Sequence, residues 1–110
     1  MKILLDECID HRFRFELSEY DVKTVSFMGW DSLQNGALLR RAETEFDIFI
    51  TVDANICFQQ NFSNVSLAVI ILRPVRNRLL FLKDMVPQIK KVISTIKSGN
   101  VETIFPAEPA

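Results

Sequence analysis

The sequence predicts a three-layer α/β domain built on a mainly parallel four- to five-stranded sheet. Three observations predict it. Short, almost uniformly apolar runs recur at 2–5, 48–52 and 67–72, the pattern of strands covered by helices on both faces. Between and after them lie stretches with apolar residues at helical spacing, so strands and helices alternate along the chain. Two of the runs stop on acids: Lys2-Ile3-Leu4-Leu5-Asp6-Glu7 and Asp47-Ile48-Phe49-Ile50-Thr51-Val52-Asp53. The carboxyl ends of parallel strands form the edge at which open α/β sheets bind ligands.

Taken in order, residues 2–6 form the first strand. Ile9, Phe13 and Leu17 share one helical face, which predicts a helix ending near Ser18. Val22-Lys23-Thr24-Val25 alternates apolar and polar and is the second strand. After a loop over 27–33, Asn35 reads as an N-cap, because its short side chain can accept a first-turn N–H. The helix it opens carries Ala37, Leu38, Leu39 and Ala42 and ends near Glu45. The third strand spans 47–52. Residues 55–61 form one or two helical turns, 67–72 the fourth strand, and 73–77 a loop.

From Arg78 onward the apolar spacing is helical again. Pro87 belongs in the first turn of a second helix there, where its missing N–H costs little. Ser98-Gly99-Asn100 stops that helix. Residues 101–105 form a last, short edge strand, giving one domain over 1–105 and a loose tail over 106–110. The expected order puts strand one beside strand three, with strand two outside strand one. Asp6 and Asp53 then flank the point where the winding reverses.

Composition narrows the function classes. The 110 residues amount to one domain. A formal net charge of −1 gives no global basic field for nucleic acid, so any such binding needs a local patch. No apolar stretch approaches a membrane span, and the four-residue apolar opening is too short for a signal peptide. Cys8 and Cys57 lack CxxC spacing and read as reduced thiols of a cytoplasmic protein. His11 reads as a surface residue, and no His stands beside Cys8 to make it a nucleophile. Phe13, Phe27, Phe49, Phe58, Phe62 and Phe81 read as core rather than as a platform for stacked bases.

The acids carry the candidate chemistry. Carboxylates on adjacent strand ends come within about 5 Å, the spacing between strands. Both resist ionising together unless a cation neutralises them. Hard divalent cations such as Mg²⁺ suit oxygen ligands, and such a cation polarises a phosphoryl oxygen and activates water. Asp6 and Asp53 are the candidate catalytic and metal residues, with Glu7 as a third ligand. Asn35, Asn55 and Asn77 are supporting amides at the same edge. Arg73 and Arg76 are candidate grips on RNA phosphate. The same acids also suit a plainer role, as polar strand terminators on a solvated edge.

Five segments, in this order, resemble the small PIN-like proteins often paired with antitoxins. They are Met1-Lys2-Ile3-Leu4-Leu5-Asp6-Glu7, Asp21-Val22-Lys23-Thr24-Val25 with Met28-Gly29-Trp30, Gln34-Asn35-Gly36-Ala37-Leu38-Leu39, Phe49-Ile50-Thr51-Val52-Asp53-Ala54-Asn55, and Arg76-Asn77-Arg78-Leu79. The likeness runs from Met1 to about Ile96. It implies a Rossmann-like, PIN-like fold and a Mg²⁺- or Mn²⁺-dependent endoribonuclease, often the toxin of a toxin–antitoxin pair. The family's metal acids map to Asp6 and Asp53. The chain departs from the pattern at Asn35 and Ala37, where an Asp or Glu is expected, at Asn55, often a second Asp, and at Val52, often Arg.

Expected partners are therefore RNA, a cognate antitoxin protein and a second copy of the chain. The departures keep a second reading open, a catalytically weak or inactive PIN-like module that binds protein or RNA. A phosphorylated receiver domain also places acids after strands one and three. It wants Ser or Thr after strand four, where Arg73-Pro74 stands, and Lys after strand five, where Pro106-Ala107 stands.

Overall fold

The computed structural model describes residues 1–56 and 65–107. Five strands, β1 (Lys2–Leu5), β2 (Asp21–Thr24), β3 (Ile48–Thr51), β4 (Ala68–Leu72) and β5 (Val101–Ile104), form one sheet in the order β2-β1-β3-β4-β5. All four pairings are parallel. The α/β class, the placing of β1 between β2 and β3, and the edge position of the last strand are as the sequence predicts. The winding reverses between β1 and β3.

Strict alternation along the strands builds two cores. Ile3, Leu5, Ile48, Ile50, Ala68, Ile70 and Leu72 face one side, where they meet Phe13 and Leu17 of a 3-10 helix (His11–Leu17), Leu82 of α2 (Leu79–Lys83), and Ile89 and Ile93 of α3 (Val86–Ile93). Leu4, Phe49, Val69 and Ile71 face the other side, against Leu38, Leu39 and Ala42 of α1 (Asn35–Glu45) and against Trp30, whose ring meets Phe46 edge-on. Because side chains on a strand alternate faces, a run covered on both sides is apolar throughout. Gly29, at φ +73°, allows the turn after β2 to close, with its N–H on the Ser26 carbonyl and the Trp30 N–H on the Val25 carbonyl.

Several local expectations are corrected. The first helix is 3-10 in form over His11–Leu17, with the Asp10 side chain capping the Arg12 N–H. Phe13 and Leu17 are both buried all the same. The N-cap of α1 is Gln34, so Asn35 is the first helical residue and not the cap. The last helix ends at Ile93, five residues before Ser98. There the Ser94 hydroxyl donates to the Lys91 carbonyl (2.6 Å), and that of Thr95 to the Lys91 and Val92 carbonyls, a competition with the helical ladder that ends helices early.

Pro87 does lie in the first turn of α3. Phe13 and Phe49 are core, but Phe27 is 72% exposed, because its segment has left the sheet and turns over β2. Of the helical turns expected over 55–61, Ile56 is helical and 57–61 lie outside the described residues, as do Cys57 and Phe58. Phe62 and tail residues 108–110 also lie outside them. Among the described residues no helix is long and apolar enough to cross a membrane.

Candidate functional site

Strands β1 and β3 end together. Leu5 pairs with Ile50, and the Asp6 N–H continues the ladder to the Ile50 carbonyl at 2.9 Å. That register sets Asp6 beside Thr51, the last residue of β3. Thr51 is the one buried polar side chain among the described residues, at 0% exposure. Its hydroxyl donates to Asp6 Oδ2 at 2.7 Å and accepts the Asp53 N–H at 3.0 Å. A buried hydroxyl must find partners, and these two tie both strand-end loops to one atom. The Glu7 N–H donates to Asp6 Oδ1 at 2.8 Å, and the Asn55 N–H to Asp53 Oδ1 at 3.0 Å, the latter an Asx turn. Each carboxylate is thus oriented by its own loop, across the crevice where the winding reverses.

Cys8 enters the same group. Its Sγ lies 3.4 Å from Asp6 Oδ2, to which it donates, and 3.6 Å from Thr51 Oγ1. Residue 8 as a whole is exposed, but the thiol turns in toward buried Thr51. Burial pushes it above the ordinary thiol range and the Asp6 charge adds to this, against hydrogen bonds from the Val52 main chain and Thr51 that pull it down. Less thiolate at a given pH means slower alkylation. In a Cys57→Ala variant, Cys8 is expected to react with iodoacetamide at pH 8 several-fold more slowly in the folded protein than in urea. Equal rates would contradict the placing of the thiol.

The other expected site residues are scattered along this edge. Glu7 is exposed, and among the described residues no three His, Cys, Asp or Glu side chains gather to hold a metal ion. Asp6, Asp53 and Glu7 therefore do not form a three-acid set. Asn35 opens α1, after the loop that leaves β2. Asn55 contributes its main-chain N–H to Asp53. Asn77 binds through its side chain, donating Nδ2 to the Cys8 carbonyl at 2.8 Å, and so pins the loop after β4 to the loop after β1. Arg73 and Arg76 are exposed beyond β4; the Arg73 N–H joins the Ile104 carbonyl.

A cleft lies on the other flank of Asp6, over β1 and β2. It encloses about 970 Å³, with Asp6, Glu7 and Cys8 at one wall, Val22, Lys23, Thr24 and Phe27 at another, and Arg12 and Arg14 from the 3-10 helix. Arg73 and Arg76 do not line it. The sequence expectation omits Thr51, Arg12, Arg14, Lys23 and Phe27. Thr51 has a visible signal, a single hydroxyl in an otherwise apolar strand. The cleft residues have none, since only the path of the segment after β2 brings Phe27 into one lining with residues of the 3-10 helix.

Asp6 and Asp53 offer the oxygen donors that a hard cation takes. Mg²⁺ accepts one or two protein carboxylates, with water and substrate phosphate completing its shell. An ionised carboxylate has about four acceptor positions, so the hydrogen bonds that orient Asp6 and Asp53 leave acceptor positions unused on each. No protein-family model matches this chain, and neither the curated proteins nor the solved structures give a match. The PIN-like resemblance therefore rests on its motifs and their order.

Proposed function

We propose that this chain is a metal-dependent endoribonuclease of the PIN-like type, with one Mg²⁺ or Mn²⁺ held by Asp6 and Asp53. The observation that supports this best is the Thr51 hydroxyl, which joins the two loops carrying those acids within 3.0 Å of one buried atom. When bound, the cation supplies Lewis acidity toward a phosphoryl oxygen. The protein's part is positional. Thr51 and the Glu7 N–H hold Asp6, the Asn55 N–H holds Asp53, and Asn77 fixes the loop on which Cys8 sits. Arg73 and Arg76, exposed past β4, offer contacts to the RNA backbone farther along the edge.

A cognate antitoxin, a second copy of the chain and a cytoplasmic setting belong to the same proposal and rest on the resemblance. A small antitoxin reading frame beside this one would support the toxin role. The test of the activity is cleavage of single-stranded RNA by the purified protein. Cleavage is expected with Mg²⁺ or Mn²⁺ and is expected to stop with excess EDTA. Persistence in EDTA would remove the cation from the scheme.

A second reading is a module that binds RNA or protein without turnover. It is favoured by the absence of a three-acid group among the described residues and by the amide or methyl side chains at Asn35, Ala37 and Asn55. RNA binding with no cleavage in any divalent cation would establish it.

A further inference from the structure

We propose that the cleft beside Asp6 is a subsite for a single-stranded nucleic-acid segment, in which one base stacks on Phe27 and Arg14 and Lys23 hold flanking phosphates. The direction of the strand, from cleft to crevice, rests on the function proposed above; binding in the cleft does not require the cation.

Phe27 is the first observation. An apolar ring left 72% exposed forgoes burial, and this one lines a cleft of about 970 Å³. Lys23 Nζ stands 5.2 Å from the ring centroid, so the ring is flanked by a cation. Base–aromatic stacking beside a cation that takes the phosphate is the common device for gripping single strands, and it tolerates any base because every base has a π face.

Charge distribution is the second observation. Asp10 is committed to Arg12 through a forked contact as short as 2.6 Å, which holds the Asp10 carboxyl well below the usual range and neutralises that pair. Arg14 instead donates to the His11 carbonyl and ring, both at 2.7 Å, and packs 4.2 Å over Phe15. Among the described residues no carboxylate forms an ion pair with it. Lys23 lies 3.6 Å from Asp21, an exposed pair of little strength. Of the three carboxylates that line the cleft, Asp10 is paired with Arg12, and Asp6 and Glu7 belong to the β1 end, while the cations come from the 3-10 helix and β2. A polynucleotide laid from Phe27 toward Asp6 thus meets bases and cations first, and the acids only where the proposed cation neutralises them.

The test is fluorescence anisotropy with labelled oligo(A) in EDTA, where cleavage does not interfere. Wild type is expected to bind at low salt. Phe27→Ala, which truncates an exposed ring and leaves the thermal midpoint unchanged, is expected to weaken binding roughly tenfold, and Phe27→Trp to restore it. Arg14→Gln is expected to weaken binding several-fold at low salt, with the deficit shrinking as salt rises. Duplex RNA, with its bases unavailable for stacking, is expected to bind more weakly than the single strand. Oligo(dA) identifies the source: equal affinity assigns the subsite to any single strand, and tighter oligo(A) assigns it to RNA; either supports the subsite. No binding by wild type, or full binding by a folded Phe27→Ala protein, overturns it and leaves the cleft to a protein partner. Loss of Mg²⁺-dependent cleavage with oligo(A) binding intact would overturn the catalytic reading alone.

Discussion

Thr51→Val is expected to lower the unfolding free energy by about 2 kcal/mol, the scale of a hydrogen bond to a charged group, although it preserves side-chain shape and β-branching. The hydroxyl is fully buried, donates to Asp6 Oδ2 and accepts the Asp53 N–H. Valine can do neither, so an oxygen of Asp6 and a main-chain N–H each lose a partner. In a domain of this size such a loss lowers the thermal midpoint by roughly 10 °C. Thr51→Ser keeps the hydroxyl and removes one methyl, so urea denaturation should place it between wild type and valine. A valine protein as stable as wild type would mean that Thr51 does not hold the crevice together.

The second large effect is functional. Asp53→Asn is expected to abolish Mg²⁺-dependent RNA cleavage while changing stability by less than about 1 kcal/mol. The amide oxygen can still accept the Asn55 N–H, and the Asp53 N–H to Thr51 is untouched. What is lost is one negative charge from the proposed cation site, and affinity in oxygen sites follows charge count. Asp6→Asn should lose cleavage as well and cost more stability, because Asp6 accepts both the Thr51 hydroxyl and the Glu7 N–H. Unchanged cleavage by a folded Asp53→Asn protein would remove Asp53 from the proposed role.

Much of the fold was legible because burial on both faces leaves a plain mark. The apolar runs ending at Thr51 and Leu72 mark strands whose alternate residues feed two cores, and alternation with helical segments suffices to imply a parallel sheet. What was not legible is decided by competition among local hydrogen bonds. Whether Gln34 or Asn35 stands at the start of α1, or whether Ser94 and Thr95 end α3 before Ser98, depends on which carbonyl or N–H a short side chain captures. Apolar spacing carries no information on that. The four-residue spacing of Phe13 and Leu17 reads as α-helical, yet the segment is 3-10 with both residues buried.

The candidate site was legible in part for the same reason. Acids that end two strands are visible in sequence, and parallel register brings the loops of Asp6 and Asp53 to one hydroxyl. The cleft was not legible. Arg73 and Arg76 lie at the expected edge, yet beyond β4, while the cleft opens over β1 and β2. Phe27 illustrates the limit most clearly: two residues after strand-forming Val25 it reads as core, but it lies in the turn that follows β2 and is exposed.

The central claim is that Asp6 and Asp53 share one cation across the crevice. Isothermal titration of Mn²⁺ into wild type, Asp6→Asn, Asp53→Asn and the double variant tests it most directly. One site in wild type is expected, weakened at least tenfold, about 1.4 kcal/mol, by either single change. The double change should be less than additive, because residues that share a ligand couple. No binding to wild type at millimolar Mn²⁺, or either single variant binding as wild type does, would contradict the claim.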